Sequence, residues 1–128
     1  MGEDIRNPER YTHTKLECWD FWLDAMLNPL ICSAVKYVWR YKYKNGLADL
    51  EKTIEFLEKA ENSMLEVYYT EKEYYLDDED VKDGLDATQI LFMKGATLTT
   101  RSSTYLTGID IMKYALVKLI EEYKTTND

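Results

Sequence analysis

The chain is poor in the residues on which most metal and thiol chemistry depends. His13 is the single histidine, which argues against a histidine-based metal site and leaves one imidazole for general-base work. Cys18 and Cys32 are the only cysteines, lie among apolar residues, and show neither zinc-site spacing nor a disulfide framework; free thiols in a reducing cytoplasm are expected. None of the few glycines opens a G-x-x-x-x-G-K-[ST] loop, so a P-loop kinase mechanism is excluded. G-x-S-x-G, H-E-x-x-H and paired C-x-x-C motifs are missing as well, which removes the standard hydrolase and zinc readings. No apolar run approaches the length of a membrane span, and the start, Met-Gly-Glu-Asp, is unlike a secretory signal. A cytoplasmic protein with no membrane partner is the expectation.

Basic residues are also in the minority. Sixteen Lys and Arg stand against 24 Asp and Glu, a formal charge of -8 that disfavours non-specific binding to DNA, RNA or anionic lipid. A nucleic-acid-like ligand would therefore be small and held in a local pocket. At 128 residues the length fits one domain, 1–128.

What the chain does have is helical periodicity. The capping-box pattern Thr14-Lys15-Leu16-Glu17 predicts a helix start, and Leu16, Trp19, Leu23, Met26 and Leu27 recur on one side after it. Asn28-Pro29 ends that helix and restarts a second, with Asn28 as cap and Pro29 in the first turn. Ile31, Ala34, Val35, Val38 and Trp39 make the second core stripe, and Asn45-Gly46 is its stop signal. A third helix from about Leu47 carries Leu50, Ile54, Leu57, Met64, Leu65 and Tyr68, with glutamates on its other faces. The stretch 77–107, acidic at first and rich in Thr and Ser later, reads as an irregular insert. A last helix over 108–124 places Ile109, Met112, Leu116, Leu119, Ile120 and Tyr123 on one face. The predicted fold is all-α, a small bundle of about four helices. Trp19, Trp22 and Trp39 and an aromatic content of 13% suggest more apolar surface than short helices bury, hence a homo-oligomer.

One stretch stands out from the acidic background. At 100° per residue Lys36, Arg40 and Lys44 fall on the side of the second helix opposite its core stripe, bordered by Tyr37 and Tyr41, in the geometry of a phosphate site. An ordinary solvated face, paired with the glutamates of the next helix, is the plainer alternative. Arg101, among Thr and Ser just ahead of the last helix, is a second candidate for an anion, with a capped loop that binds nothing as the plainer alternative. Glu17 and Asp20 on the first helix, facing Glu51, Glu55 and Glu58 on the third, would suit Mg²⁺ held through water.

Five linked motifs bear on function: Asn7-Pro8-x-x-Tyr11, Glu17-Cys18-x-Asp20, Lys36-Tyr37-x-x-Arg40, Lys44-x-Gly46 and Asp49-Leu50-x-Lys52. In this order, over about residues 7–60, they resemble a family of small bacteriophage proteins labelled nucleotide kinase-like. The resemblance implies a viral protein of the bacterial host cytoplasm that handles nucleotides, with phosphoryl transfer to nucleoside monophosphates and a homo-oligomeric state; on the phosphoryl-transfer reading ATP or another nucleotide would be the ligand and Mg²⁺ a cofactor. It makes Tyr11, Glu17, Asp20, Lys36, Tyr37, Arg40, Lys44, Asp49 and Lys52 the motif residues. Lys36, Arg40 and Lys44 would hold phosphates, Tyr11 or Tyr37 a base or sugar, and Glu17 and Asp20 a metal or ligand hydroxyl. Arg10-Tyr11 and Cys32-Ser33 stand where members commonly read His-Tyr and Gly-Asn, departures that touch catalysis more than binding. Two alternatives stay open: a non-catalytic protein that sequesters a cyclic or other nucleotide immune signal against anti-phage defence, and a helical nucleotide pyrophosphatase.

Overall fold

The computed structural model describes residues 14–70 and 73–126. Five α-helices occupy them: α1 (Cys18–Ala25), α2 (Pro29–Arg40), α3 (Leu47–Asn62), α4 (Ala87–Leu98) and α5 (Tyr105–Thr126). Single 3-10 turns at Tyr41–Tyr43, Asp78–Asp80 and Ser102–Thr104 punctuate the connections, and the described residues contain no strand. The all-α reading holds, and no helix among these residues is long and apolar enough to cross a membrane.

The architecture is two helical hairpins, α2 with α3 and α4 with α5, packed so that α3 lies on α5 and α2 on α4. Side chains from all five helices fill the space between them, with Phe21, Trp39, Phe92 and Tyr105 the bulkiest fully buried. Two buried hydrogen bonds tie hairpin to hairpin. Gln89 Nε2 donates to the Val38 carbonyl at 2.9 Å, and the Tyr105 hydroxyl donates to the Ala60 carbonyl at 2.7 Å.

The second helix forms as its pattern predicts. Asn28 Oδ1 accepts from the Ile31 N–H at 3.0 Å, Pro29 occupies the first turn, and all five residues of the core stripe are buried. The first helix does not. Thr14 makes no cap; its hydroxyl donates to the Leu16 carbonyl, and the helix starts four residues later, after Glu17, whose side chain caps nothing. Its buried face is Cys18, Phe21 and Ala25, while Trp19, Leu23 and Met26 lie outside. A short helix that is apolar on most sides gives periodicity no unique phase.

Three further expectations need correction. α2 stops at Arg40 rather than at Asn45-Gly46; Gly46 does take a positive φ of 53°, but as the residue that leads into α3. α3 ends at Asn62, so Leu65 and Tyr68 leave the core stripe and Ile54 lies on the exposed side. The supposed insert contains α4, opened by a full capping box in which Asp86 Oδ1 accepts from the Gln89 N–H at 2.8 Å and Gln89 Oε1 from the Asp86 N–H at 2.9 Å. Its acidic part plugs the core with Val81 and Leu85, beside Leu76 just ahead of it.

α1 closes on a left-handed residue, Met26 (φ 59°, ψ 49°), whose N–H bonds to the Leu23 carbonyl while the Leu27 N–H reaches Trp22 at 3.1 Å. Glycine is the usual occupant of that position, because a Cβ there crowds the following carbonyl. Met26→Gly is therefore expected to stabilise the fold by about 1 kcal/mol, read as a higher urea midpoint. A lower midpoint would mean that the methionine side chain contributes more by packing than its backbone loses by strain.

Candidate functional site

The phosphate stripe expected on α2 is not continuous. Arg40, the last residue of the helix, turns inward and is held by Asp49 at the start of α3, with Nε 3.3 Å from Oδ2 and Nη2 3.2 Å from Oδ1. Asp49 also accepts from the N–H and Nδ2 of Asn45, at 3.3 Å each, so one carboxylate closes the whole α2–α3 turn. Lys36 and Arg40 flank the Tyr37 ring at 4.5 and 4.9 Å from its centroid, a cation–π arrangement, and the same ring packs on Phe56 at 5.8 Å. Lys36 also borders a small apolar pocket, about 230 Å³, with Cys18, Trp19 and Trp22.

Other expected site residues are scattered. Glu17 accepts from Trp19 Nε1 at 2.8 Å, and Asp20 is exposed in the first turn of α1. Lys52 is 3.8 Å from Glu55 on the outside of α3. Arg101 pairs with Glu73 at 2.9 Å, and its neighbours Thr99, Thr100 and Thr104 donate their hydroxyls to carbonyls of α4. Tyr11 and the Asn7–Tyr11 motif lie outside the described residues, as does His13. Among the described residues no group of three or more His, Cys, Asp or Glu side chains is arranged to hold a metal ion. Both cysteines are free, and burial pushes the Cys18 thiol up; it raises that of Cys32 to about 11, so neither is a ready nucleophile.

Lys44 goes elsewhere. The 3-10 turn at Tyr41–Tyr43 swings it off the helix axis into a cleft of about 620 Å³ between the α2–α3 turn, the start of α4 and the end of α5. Tyr41 and Tyr123 form one wall, with ring centroids 6.3 Å apart, and Gly46 lies beneath the Tyr123 hydroxyl, where any Cβ would collide with it. Lys42 Nζ meets Asp86 Oδ2 at 2.6 Å across the cleft. Glu122, positioned by the Thr88 hydroxyl at 3.3 Å, brings the second carboxylate. Burial first, then the nearby Asp86 and Glu122 carboxylates and Tyr123, raise the Tyr41 hydroxyl well above its ordinary value, so it stays a neutral donor.

The volume falls in the range of small-molecule sites. Its lining offers three chemistries together: ammonium groups for an anion, carboxylates for hydroxyl or amino donors, and an aromatic wall for a planar ring. Sequence reasoning found Lys44 and Tyr41 but missed Lys42, Asp86, Glu122 and Tyr123 as partners. Asp86 had a local signal, the D-x-x-Q capping box; Glu122 and Tyr123 had none, because helix packing alone brings them to the turn. Comparison with known protein families, curated proteins and solved structures finds no match to this chain.

Proposed function

We propose that this protein binds a nucleotide in the cleft between the α2–α3 turn and the end of α5, and holds it without chemical change. The observation that carries the reading is the joint presence in one cavity of Lys42 and Lys44, Asp86 and Glu122, and the Tyr41–Tyr123 wall. A nucleotide has three matching parts: phosphates for the lysines, sugar hydroxyls or base amino groups for the carboxylates, and a ring to lie against Tyr123. The balance of charge in the cleft favours one or two phosphates over a polyphosphate chain. Binding is favoured over phosphoryl transfer because Glu17 and Asp20, the acids expected to serve turnover, do not line this cavity, and Arg40 is engaged with Asp49. A sequestering role for a phage protein, acting on a nucleotide signal of its host, follows from joining this reading to the resemblance.

The test is calorimetry with nucleoside mono- and triphosphates and cyclic nucleotides, followed by mass spectrometry of the supernatant before and after heat denaturation. Wild type is expected to bind at least one of them and to return it unchanged. Lys44→Ala should weaken binding about tenfold or more, while Lys52→Ala, outside the cleft, should not. Equal affinity of wild type and Lys44→Ala would place the ligand elsewhere, and newly formed diphosphates would make the protein a kinase.

A further inference from the structure

On the side of the molecule where α1 turns into α2, a second cavity runs between that turn and the segment after α3. It measures about 450 Å³ and is lined by Met26, Leu27, Pro29, Leu30, Val67 and Tyr68, with Glu66 at its edge. Two of its apolar lining residues stand well out in water: Tyr68 is 91% exposed and Met26 50%.

Met26 is the informative member. Among the described residues it alone, apart from glycine, has a positive φ, and its side chain is half in solvent, so the strain is not offset by burial. Glycine would serve the turn better. What methionine adds is a flexible, polarisable thioether at the lip of an apolar groove, a group suited to moulding around another apolar surface.

Charge identifies what that other surface carries. From Leu16 to Val35 the sequence has Glu17, Asp20 and Asp24 and no Lys or Arg; from Ala60 to Thr70 it has Glu61 and Glu66 and again no Lys or Arg. Among the described residues Glu66 is the one charged side chain that lines the groove, on a chain that is already strongly negative. A second copy meeting this face through the same groove would set acid against acid, and an anionic bilayer would be repelled. An apolar groove with an acid at its edge is complementary to apolar anchors flanked by basic residues.

We propose that this groove docks a basic amphipathic segment of a partner protein, with a bulky apolar side chain seated among Leu27, Leu30, Val67 and Tyr68 and Lys or Arg facing Glu66. The recognition is of the helix-in-groove kind, in which apolar anchors supply affinity and rim charges select the partner.

The experiment is fluorescence anisotropy of a labelled amphipathic Leu/Lys peptide titrated with the full chain, beside a Leu/Glu peptide of the same pattern. The Leu/Lys peptide is expected to bind saturably and the Leu/Glu peptide not at all. The charge-neutral double variant Met26→Gly, Tyr68→Ser should weaken binding about tenfold or more, as should Glu66→Lys. Since Met26→Gly alone relieves the turn, its melting temperature should rise while its affinity falls, which separates lost docking from lost folding. Three results would overturn the proposal: no binding of the Leu/Lys peptide, unchanged affinity in the neutral double variant, which means net charge alone holds it, or a wild-type dimer that this same variant dissociates, which assigns the groove to a second copy.

Discussion

Asp49→Ala is expected to cost about 3–5 kcal/mol of folding stability, measured by urea denaturation. The Asp49 side chain is 2% exposed and that of Arg40 11%, so both charges are withdrawn from water and the pair compensates them. The hydrogen bonds between them are long, at 3.2 and 3.3 Å, and individually modest. The loss would come from removing the Asp49 carboxylate from the buried Arg40 guanidinium and from the N–H and Nδ2 groups of Asn45. A domain of this size has about 5–15 kcal/mol in total, so this one carboxylate would account for a large share of it. Replacing both partners by apolar residues of similar volume should recover much of the loss, since nothing charged is then left buried. If Asp49→Ala instead lost less than about 1 kcal/mol, as expected of a solvated pair, the turn would not depend on this carboxylate.

The second large effect is expected at Gly108 in α5. A Cβ there would sit 2.5 Å from the Gly95 carbonyl oxygen of α4, 2.9 Å from Thr99 Cγ2 and 3.0 Å from Leu98 Cβ. Alanine normally improves a helix interior by about 1 kcal/mol over glycine, and at this position the sign should reverse. The nearest obstacle is main chain, which cannot rotate away, so the two helices must separate along their closest approach. Gly108→Ala should destabilise by about 3 kcal/mol, lowering the melting temperature by roughly 10 °C. Gly95→Ala meets its neighbours at 3.0 Å and should cost less. A Gly108→Ala protein more stable than wild type would show that α4 and α5 do not approach each other this closely.

The sequence was most informative where one face of a segment was apolar and the other was not. Ile31, Ala34, Val35, Val38 and Trp39 could face only inward, and the last helix was equally plain, starting at Tyr105 rather than 108. α1 was misphased because Trp19, Leu23 and Met26 have as good a helical spacing as Cys18, Phe21 and Ala25; only the packing of Phe21 on Trp39, 5.9 Å between centroids, selects between them. α4 escaped notice because its apolar residues surround Gly95 without a polar face, although Asp86 and Gln89 marked its beginning. At the candidate site, charge and aromatic content drew attention to the right turn but not to the right neighbours. Arg40 and Asp49 lie nine residues apart across Asn45-Gly46, close enough for the acid to claim the arginine, and the end of α2 at Arg40 is what parts Lys44 from Lys36.

The two hydrogen bonds that join the hairpins also govern how the chain assembles. α2 with α3 and α4 with α5 are neighbours in sequence, joined by the short turns 41–46 and 99–104, so each pair can close at small entropic cost. The slow search is left to docking one finished hairpin on the other. Gln89 Nε2 and the Tyr105 hydroxyl are dehydrated by that docking and find their acceptors, Val38 and Ala60, in one register only. A slipped arrangement would bury both donors unpaired and is disfavoured by that loss. The stretch 63–86 then acts as a leash whose length sets the effective concentration of each hairpin for its mate.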